Sequence, residues 1–341
     1  MDFETIWQRF RSELEAELKL AVGDSPMPLY KMMRYHMGWA DKQGRPQHGE
    51  TGKRLRPILC LLSCQAGGGE WQKALPAAAA IELVHNLSLV HDDIQDSSPA
   101  RRGRATVWHL WGKPQAINVG DGMHVLALLS MLRLEEWGVP RQKVVRAARL
   151  LNDASLKLCE GQYLDISYET RLDIGVNDYL AMISGKTAAL FGRSFEIGAL
   201  LGTDKEPLIA HLGRFGHKMG LSFQVHDDIL GIWGDEKTMG KSSTSDIVTK
   251  KKTLPVVYAL EKADGVDREE LRQIYQKESL SPADVKNVLH VLNKLDAKGY
   301  AQDMSGYYYR QALSELDAAD IPKSAKGEFK AIADFLLKRK Y

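Results

Sequence analysis

Apolar residues recur along this chain at helical spacing, three or four positions apart, and the long alternating Val, Ile and Thr runs that strands need are missing. The segment from Ser281 to Gly299 is the clearest example. Ser281 stands as N-cap, Pro282 opens the first turn, Asp284 follows three residues after the cap, and Gly299 is the expected stop. Between them Val285, Val288, Leu289, Leu292 and Leu295 form one apolar stripe. The most apolar stretch, Ala74 to Val90, is interrupted by Glu82, His85 and Asn86 and falls short of the roughly 20 residues that cross a bilayer, so it is predicted to be a buried helix. Glycine clusters at Gly67 to Gly69, Gly44 to Gly52 and Gly231 to Gly240 punctuate the helices, but no shift in composition marks a linker. No repeat of fixed period and no low-complexity segment is visible. The pattern predicts an all-α fold, one helical domain over residues 1–341 with a helical N-terminal arm at 1–30.

Composition narrows the function classes. A chain of 341 residues that is 44% hydrophobic can bury a large core. With 46 basic and 44 acidic residues the net charge is +2, which gives no global field for nucleic acid or an anionic membrane. Any anion site must therefore be local. Cys60, Cys64 and Cys159 have no second Cys or His pair at zinc spacing and are expected as reduced core thiols. The first 20 residues are acidic and amphipathic, unlike a secretory signal, so a cytoplasmic protein is expected.

Two acidic clusters carry the candidate chemistry. His91-Asp92-Asp93-Ile94-Gln95-Asp96 closes the long apolar helix, with Asp92 and Asp96 one turn apart on a shared face. Like charges at that spacing destabilise an isolated helix, so something positive is expected between them. His226-Asp227-Asp228 follows another apolar helical stretch, Leu221 to Val225. Such carboxylate pairs suit hard divalent cations, and magnesium in particular takes a few carboxylates together with waters and substrate phosphates. Basic groups come in short motifs. Gly52-Lys53-Arg54-Leu55-Arg56-Pro57 packs three cations into four residues, a candidate diphosphate cradle with forked Arg donors. Arg101-Arg102-Gly103 follows the first acidic cluster after a four-residue connection, and Lys186-Thr187, Lys241 and Lys250-Lys251-Lys252 come later. Each motif alone reads as a solvated surface feature; together they match a site for two diphosphates and several magnesium ions.

In this order the motifs resemble those of the trans-prenyl diphosphate synthases, the farnesyl and geranylgeranyl diphosphate synthase family, over roughly Gly49 to Leu260. An Asp-Asp-x-x-Asp box followed by paired arginines is met in full by Asp92, Asp93, Asp96, Arg101 and Arg102. The resemblance implies a helical bundle of the isoprenoid synthase type around a central prenyl-binding cavity, several Mg2+ ions per site, and a homodimer. It implies that Lys53, Arg56, His85 and Arg102 hold isopentenyl diphosphate. Arg101, Lys186, Thr187, Gln224, Lys241 and Lys251 would hold the allylic diphosphate. Metal ligation falls to Asp92, Asp93, Asp96, Asp227 and Asp228, and the catalytic set to Asp92, Asp93, Asp96, Asp227 and Lys186. One departure stands out: the second box ends in Gly231 where the family usually has a third Asp. Asp235 and Asp246 are the nearby candidates to complete that shell, and the Gly231 to Lys252 segment is a candidate lid.

Three rival readings are weaker. A class I terpene cyclase uses a similar acidic clamp but needs no isopentenyl site, which the Gly52 to Arg56 motif and His85 supply. A non-catalytic partner subunit of a two-component synthase would not need the intact first box. A helical nucleic-acid binder would suffer repulsion between phosphate and the carboxylate pairs and lacks an aromatic-basic stripe. Product length is expected from the residues before the first box. A prenyl tail running back along that helix meets Leu87 and Ser88, then Val84, then Ala80 and Ile81, none of them aromatic, so a product of twenty carbons or more is expected.

Overall fold

A computed structural model of the chain describes residues 3–47, 49, 52–234 and 244–338, and these are predominantly helical. From the N-terminus run α1 (Phe3–Val22), α2 (Pro28–His36), α3 (Leu55–Ala66) and α4 (Leu75–Gln95). A short hairpin follows, β1 (Ala100–Arg101) antiparallel to β2 (Arg104–Ala105), with Arg101 opposite Arg104. Then come α5 (Val107–Trp111), α6 (Lys113–Leu132), α7 (Arg141–Tyr168), α8 (Val176–Ile183), α9 (Ala189–Gly202) and α10 (Glu206–Trp233). The remaining helices are α11 (Ser245–Val248), α12 (Leu254–Lys262), α13 (Gly265–Gln276), α14 (Pro282–Lys294), α15 (Ala297–Ala318) and α16 (Lys323–Lys338). No helix among the described residues is long and apolar enough to cross a membrane.

The chain divides into two compact units, one of Met1–Asp153 with Arg193–Ala210 and the other of Ala154–Gly192 with His211–Tyr341. In the first, α4 is the axis. Its Ala77, Ala78, Ala79, Ala80 and Ile81 are fully buried, and α6 packs on it more extensively than α1, α3 or α5 does. The short alanines allow that close approach, and Ser130 of α6 donates to the Pro76 carbonyl at 2.8 Å. The expected buried helix is therefore present and extends to Gln95.

A buried charge cluster ties the N-terminal helices to α4. Arg54, only 3% exposed, adopts a left-handed backbone conformation at the start of α3 and turns inward. Its Nε donates to Glu15 of α1 and its Nη1 to Glu82 of α4, both at 2.9 Å, while Nη2 reaches the Met37 carbonyl at 3.2 Å. Arg54 thus leaves the expected diphosphate cradle, because two carboxylates distant in sequence claim it.

In the second unit, Tyr179, Val225, Leu254, Val257 and Ala301 bring α8, α10, α12 and α15 to one core. The capping box at Ser281 is present: Asp284 N donates to Ser281 Oγ at 3.2 Å and Ser281 N to Asp284 Oδ2 at 2.9 Å. Gly299 is not the stop. The helix ends at Lys294, and Asp296, in a left-handed conformation, caps the next helix by accepting from Gly299 N at 3.2 Å. Asp, like Asn, reaches that conformation more readily than most residues with a side chain because its short polar side chain bonds locally. Cys60 and Cys64 are buried thiols, whereas Cys159 lies exposed on α7, contrary to the expectation of a core thiol.

Removing one partner of a buried ion pair strands the other charge, a loss of roughly 3–5 kcal/mol. Arg54→Ala, which strands Glu82, is therefore expected to lower stability by about that amount in urea unfolding; an unchanged midpoint would refute the anchoring role.

Candidate active site

Each unit carries one constellation of predicted residues. In the first, the Asp-Asp-x-x-Asp box forms the last turn of α4, where the helix dipole already places negative charge. Asp93 is 2% exposed and accepts from Arg101 Nε at 2.8 Å, so one carboxylate of the box is paired to the hairpin. Burial raises the Asp93 carboxyl, and Arg101 opposes that rise. Asp92 is half-buried and Asp96 exposed, and both remain accessible on the other side of the turn.

Arg102, in the hairpin turn, lies over Gly52. A Cβ at Gly52 would stand 2.7 Å from its Nη2, and Gly52 itself has a positive φ of 77°. The positive φ favours glycine there, and any larger residue would also push the Arg102 guanidinium aside. Arg56 Nη1 lies 3.2 Å from His85 Nε2; a guanidinium only donates, so the imidazole accepts. Burial pushes His85 well below its ordinary range, and Arg56 and Arg102 push in the same direction. Burial also lowers Arg56 to about 10, partly offset by Glu82. The result is a recessed group of cations around a neutral imidazole, an environment that an anion would stabilise. Lys53 is exposed beside it.

Sequence reasoning missed His36. Its ring is pushed down to about 3 by burial and then by Arg102, Arg101 and Arg54, and it lines a small recess of about 20 Å³ with Asp93, Arg101 and Arg102. No local motif announces it. Behind the box, Ser88 and Val84 are buried on the Asp92 face of α4 and Leu87 is half-buried. Ser88 Oγ donates to the His85 carbonyl at 2.8 Å, so its polarity is satisfied within its own helix.

In the second unit a cleft of about 390 Å³ brings together Lys186, Thr187, Gln224, Asp227, Asp228 and Lys251. Lys186 sits in a π-type turn, Ser184–Ala188, that follows α8. That turn touches α7 backbone to backbone: a Cβ at Gly161 would stand 2.1 Å from Lys186 N, and one at Gly185 would stand 2.6 Å from the Lys157 carbonyl. The two glycines bring Lys186 Nζ against Asp165, one turn further along α7. Asp165 was not read from the sequence, since a lone carboxylate in Gly161-Gln162-Tyr163-Leu164-Asp165 has no partner nearby in the chain.

A relay of hydrogen bonds fixes the rest. Thr187 Oγ1 donates to Gln224 Oε1 at 2.7 Å, and Gln224 Nε2 donates to Asp228 Oδ1 at 3.0 Å. Asp228 Oδ2 accepts from Tyr179 OH at 2.6 Å and from Leu254 N at 2.8 Å. Burial raises Asp228 to about 6, with these donors opposing the rise. Asp228 is 5% exposed and committed to protein donors, whereas Asp227 is half-buried and borders the open cleft. Lys241 and Asp235 lie outside the described residues, as does the middle of the candidate lid.

Among the described residues no three Asp, Glu, His or Cys side chains are gathered into a ready-made metal cage. Magnesium does not require one, because it keeps several waters and takes one or two carboxylates plus substrate phosphates. Asp92 with Asp96, and Asp227 with Asp165, offer hard oxygen donors of the right kind. The residues therefore fit the ion.

Asp228→Ala orphans three buried donors, each a loss of about 1–3 kcal/mol. Chemical denaturation is expected to show a loss of about 3 kcal/mol or more for Asp228→Ala and less than about 1 kcal/mol for Asp227→Ala. Equal losses would show that the two carboxylates are not divided between structural and open roles.

Comparison with known proteins identifies the family. Residues 44–292 match the polyprenyl synthetase family. The chain is 37% identical to a geranylgeranyl diphosphate synthase of Mycobacterium tuberculosis, over 93% of this chain and 89% of that protein. It is 34% identical to a (2E,6E)-farnesyl diphosphate synthase of Mycobacterium bovis, over 90% and 85%. A polyprenyl synthetase from Streptomyces coelicolor A3(2) superposes with a TM-score of 0.91 at 38% identity, covering 98% of this chain and 100% of that one. Matched across most of its length in sequence and in fold, the chain belongs to the polyprenyl synthetase family of trans-prenyltransferases.

Proposed function

We propose that this protein condenses isopentenyl diphosphate with an allylic diphosphate, giving an all-trans prenyl diphosphate one isoprene longer, with end products of twenty carbons or more. The observation that carries the reading is that the first unit has a cationic recess of Arg56, His85 and Arg102 suited to an anion, in addition to the second unit's cleft with Lys186, Lys251 and Asp227. A transferase of this kind binds two diphosphates; a cyclase binds one.

In this reading Lys53, Arg56 and Arg102 hold the isopentenyl diphosphate, and neutral His85 keeps the Arg56 fork oriented. Lys186, Thr187, Gln224 and Lys251, with Arg101 and Lys241, hold the allylic diphosphate. Asp92, Asp96 and Asp227 are the principal metal ligands, with Asp93 and Asp228 keeping the boxes in shape. Magnesium supplies positive charge that stabilises diphosphate as a leaving group. The allylic carbon–oxygen bond breaks with its electron pair leaving on diphosphate. The isopentenyl double bond then attacks the cation, forming the new carbon–carbon bond, and a proton is lost to the departing diphosphate. No protein nucleophile takes part. The working unit is the whole chain as one domain in the cytoplasm, with residues 1–30 as its arm.

Omitting Mg2+, or replacing Asp92 or Asp227 by Ala, is expected to slow elongation of labelled isopentenyl diphosphate by about 10²-fold or more. Near wild-type rates for Asp92→Ala would overturn the proposed metal clamp, and release of a cyclic hydrocarbon from the primer alone would point to a cyclase.

Names among the relatives include both farnesyl and geranylgeranyl synthases, so family membership does not fix chain length. The small, internally satisfied Ser88 supports the longer product. Ser88→Phe is expected to shift products toward ten to fifteen carbons without abolishing primer ionisation; an unchanged distribution would place the tail elsewhere.

We also propose a homodimer. Ile117, Val125, Leu128, Leu129 and Leu132 stand exposed along one side of α6, an apolar stripe of the kind that a second copy covers. Sedimentation is expected to give twice the 38.2 kDa chain mass; a single 38.2 kDa species at micromolar protein would refute it.

A further inference from the structure

Lys250, Lys251 and Lys252 follow one another at the cleft of the second unit, and their amines go to different places. The turn that presents them closes α11 as a Schellman motif: Lys250 N donates to the Ile247 carbonyl and Lys251 N to the Asp246 carbonyl, both at 2.9 Å. Lys250 takes the left-handed place of that motif, with a φ of 56°, where glycine is usual because it has no Cβ to strain. Its amine donates at 2.6 Å to the carbonyl of Lys277, the residue that caps the end of α13. Lys252 goes to a different helix. It is 5% exposed, and its amine donates at 2.8 Å to the carbonyl of Glu169, just past the end of α7. The same amine lies 4.9 Å from the centre of the Tyr275 ring. Between the two, Lys251 is exposed and borders the cleft with Lys186 and Asp227, its Nζ 4.0 Å from Asp246 Oδ1.

Both outer amines meet the C-terminal end of a helix, where the last carbonyls lack intrahelical donors and the dipole favours a cation. Burial and then Lys250 pull the Lys252 amine down to about 8, with Glu169 opposing, so the fold keeps an amine where its charge is disfavoured. A methionine of similar length would fill that space without desolvating a charge, and a glycine at 250 would relieve the turn. At each position a locally easier residue exists, and what the lysine adds is its contact with a helix end. We infer that Lys250 and Lys252 are positioning residues: they moor the turn to the ends of α13 and α7 and so hold the root of Lys251 beside the cleft. The inference rests on the part of the function proposed above that assigns Lys251 to the allylic diphosphate. A lysine side chain loses rotamer freedom when it meets a phosphate, and a backbone already fixed beneath it removes the further loss of ordering the turn. A purely structural role makes a different prediction, because the loss on removing Lys252 would then not depend on Lys251.

The test is calorimetric titration of inorganic diphosphate with Mg2+ into full-length protein, with folding checked by circular dichroism and hydrogen exchange followed at the Lys250 and Lys251 amides. Lys251→Met is expected to weaken diphosphate binding about 10-fold or more, the loss of one charge-assisted hydrogen bond. Lys252→Met and Lys250→Met are each expected to weaken it about three- to tenfold and to speed exchange at both amides. In protein that already carries Lys251→Met, adding Lys252→Met is expected to change affinity less than about twofold, because its effect runs through the missing amine. Full retention of the Lys252→Met loss in that background overturns the inference, since Lys252 would then act on the diphosphate without Lys251. Wild-type affinity in Lys252→Met overturns it as well. Should Lys252→Met not fold, Lys250→Met, at a more exposed position, carries the same comparison. Wild-type affinity in Lys251→Met would refute the assignment of Lys251 to the diphosphate. Faster amide exchange in Lys250→Met and Lys252→Met would then still uphold their hold on the turn, and unchanged exchange would overturn it.

Discussion

Successive residues on an α-helix point about 100° apart, and that rotation governs both acidic boxes. Two adjacent carboxylates cannot face the same way. In the first box Asp93 turns inward to Arg101 and leaves Asp92 accessible; in the second Asp228 turns inward to Tyr179, Gln224 and the Leu254 amide and leaves Asp227 on the cleft. One carboxylate of each pair is thus structural and the other open. The division also answers the repulsion that the pairs create, because the inward member is neutralised or hydrogen-bonded by the fold itself. The other member, with its neighbour a turn away, is the one the proposed function assigns to the metal.

The basic half of the chemistry meets the opposite constraint. Clustered guanidinium groups at a recess stay charged, so any imidazole among them gives up its proton. His85 and His36 are both depressed by burial and by neighbouring arginines, which makes them neutral groups at any physiological pH. His85 then serves as an acceptor for Arg56, and a further cation is avoided where three already compete. Arg54 shows the alternative solution: buried among Glu15 and Glu82, it is fully compensated and contributes anchoring rather than anion binding.

Local pattern carried the helices, the two boxes and the capping box at Ser281, because each depends on residues within a few positions of one another. What local pattern could not show was which side chains meet across long separations. Arg54 looked like a cradle residue because its partners lie 39 and 28 positions away. Asp165 reached the cleft only through the contact between Gly161 and Gly185, and His36 joined the recess from a helix with no motif of its own. The expected stop at Gly299 failed for a smaller reason, since Asp296 could reach a left-handed conformation and begin a new helix three residues earlier. Gly231 is the most instructive case. As a letter in a motif it reads as a loss, but in space a Cβ there would stand 2.0 Å from Asp246 Oδ2, a neighbour that the motif does not show.

Helix α4 joins these arguments. Along one helix it presents Glu82 to Arg54, His85 to Arg56, Ser88 toward the proposed tail path and Asp92 toward the proposed metal. These positions follow one another at three- and four-residue steps, so a single rotation of the helix sets all of them. A slip of one residue would swing each by about 100° and at once bury Asp92, expose Glu82 and separate His85 from the guanidinium it accepts from. The buried ion pair at the Glu82 level and the alanine-lined contact with α6 are what prevent that slip. The rigidity of the core and the placement of the chemistry are therefore the same property, expressed at different turns of one helix.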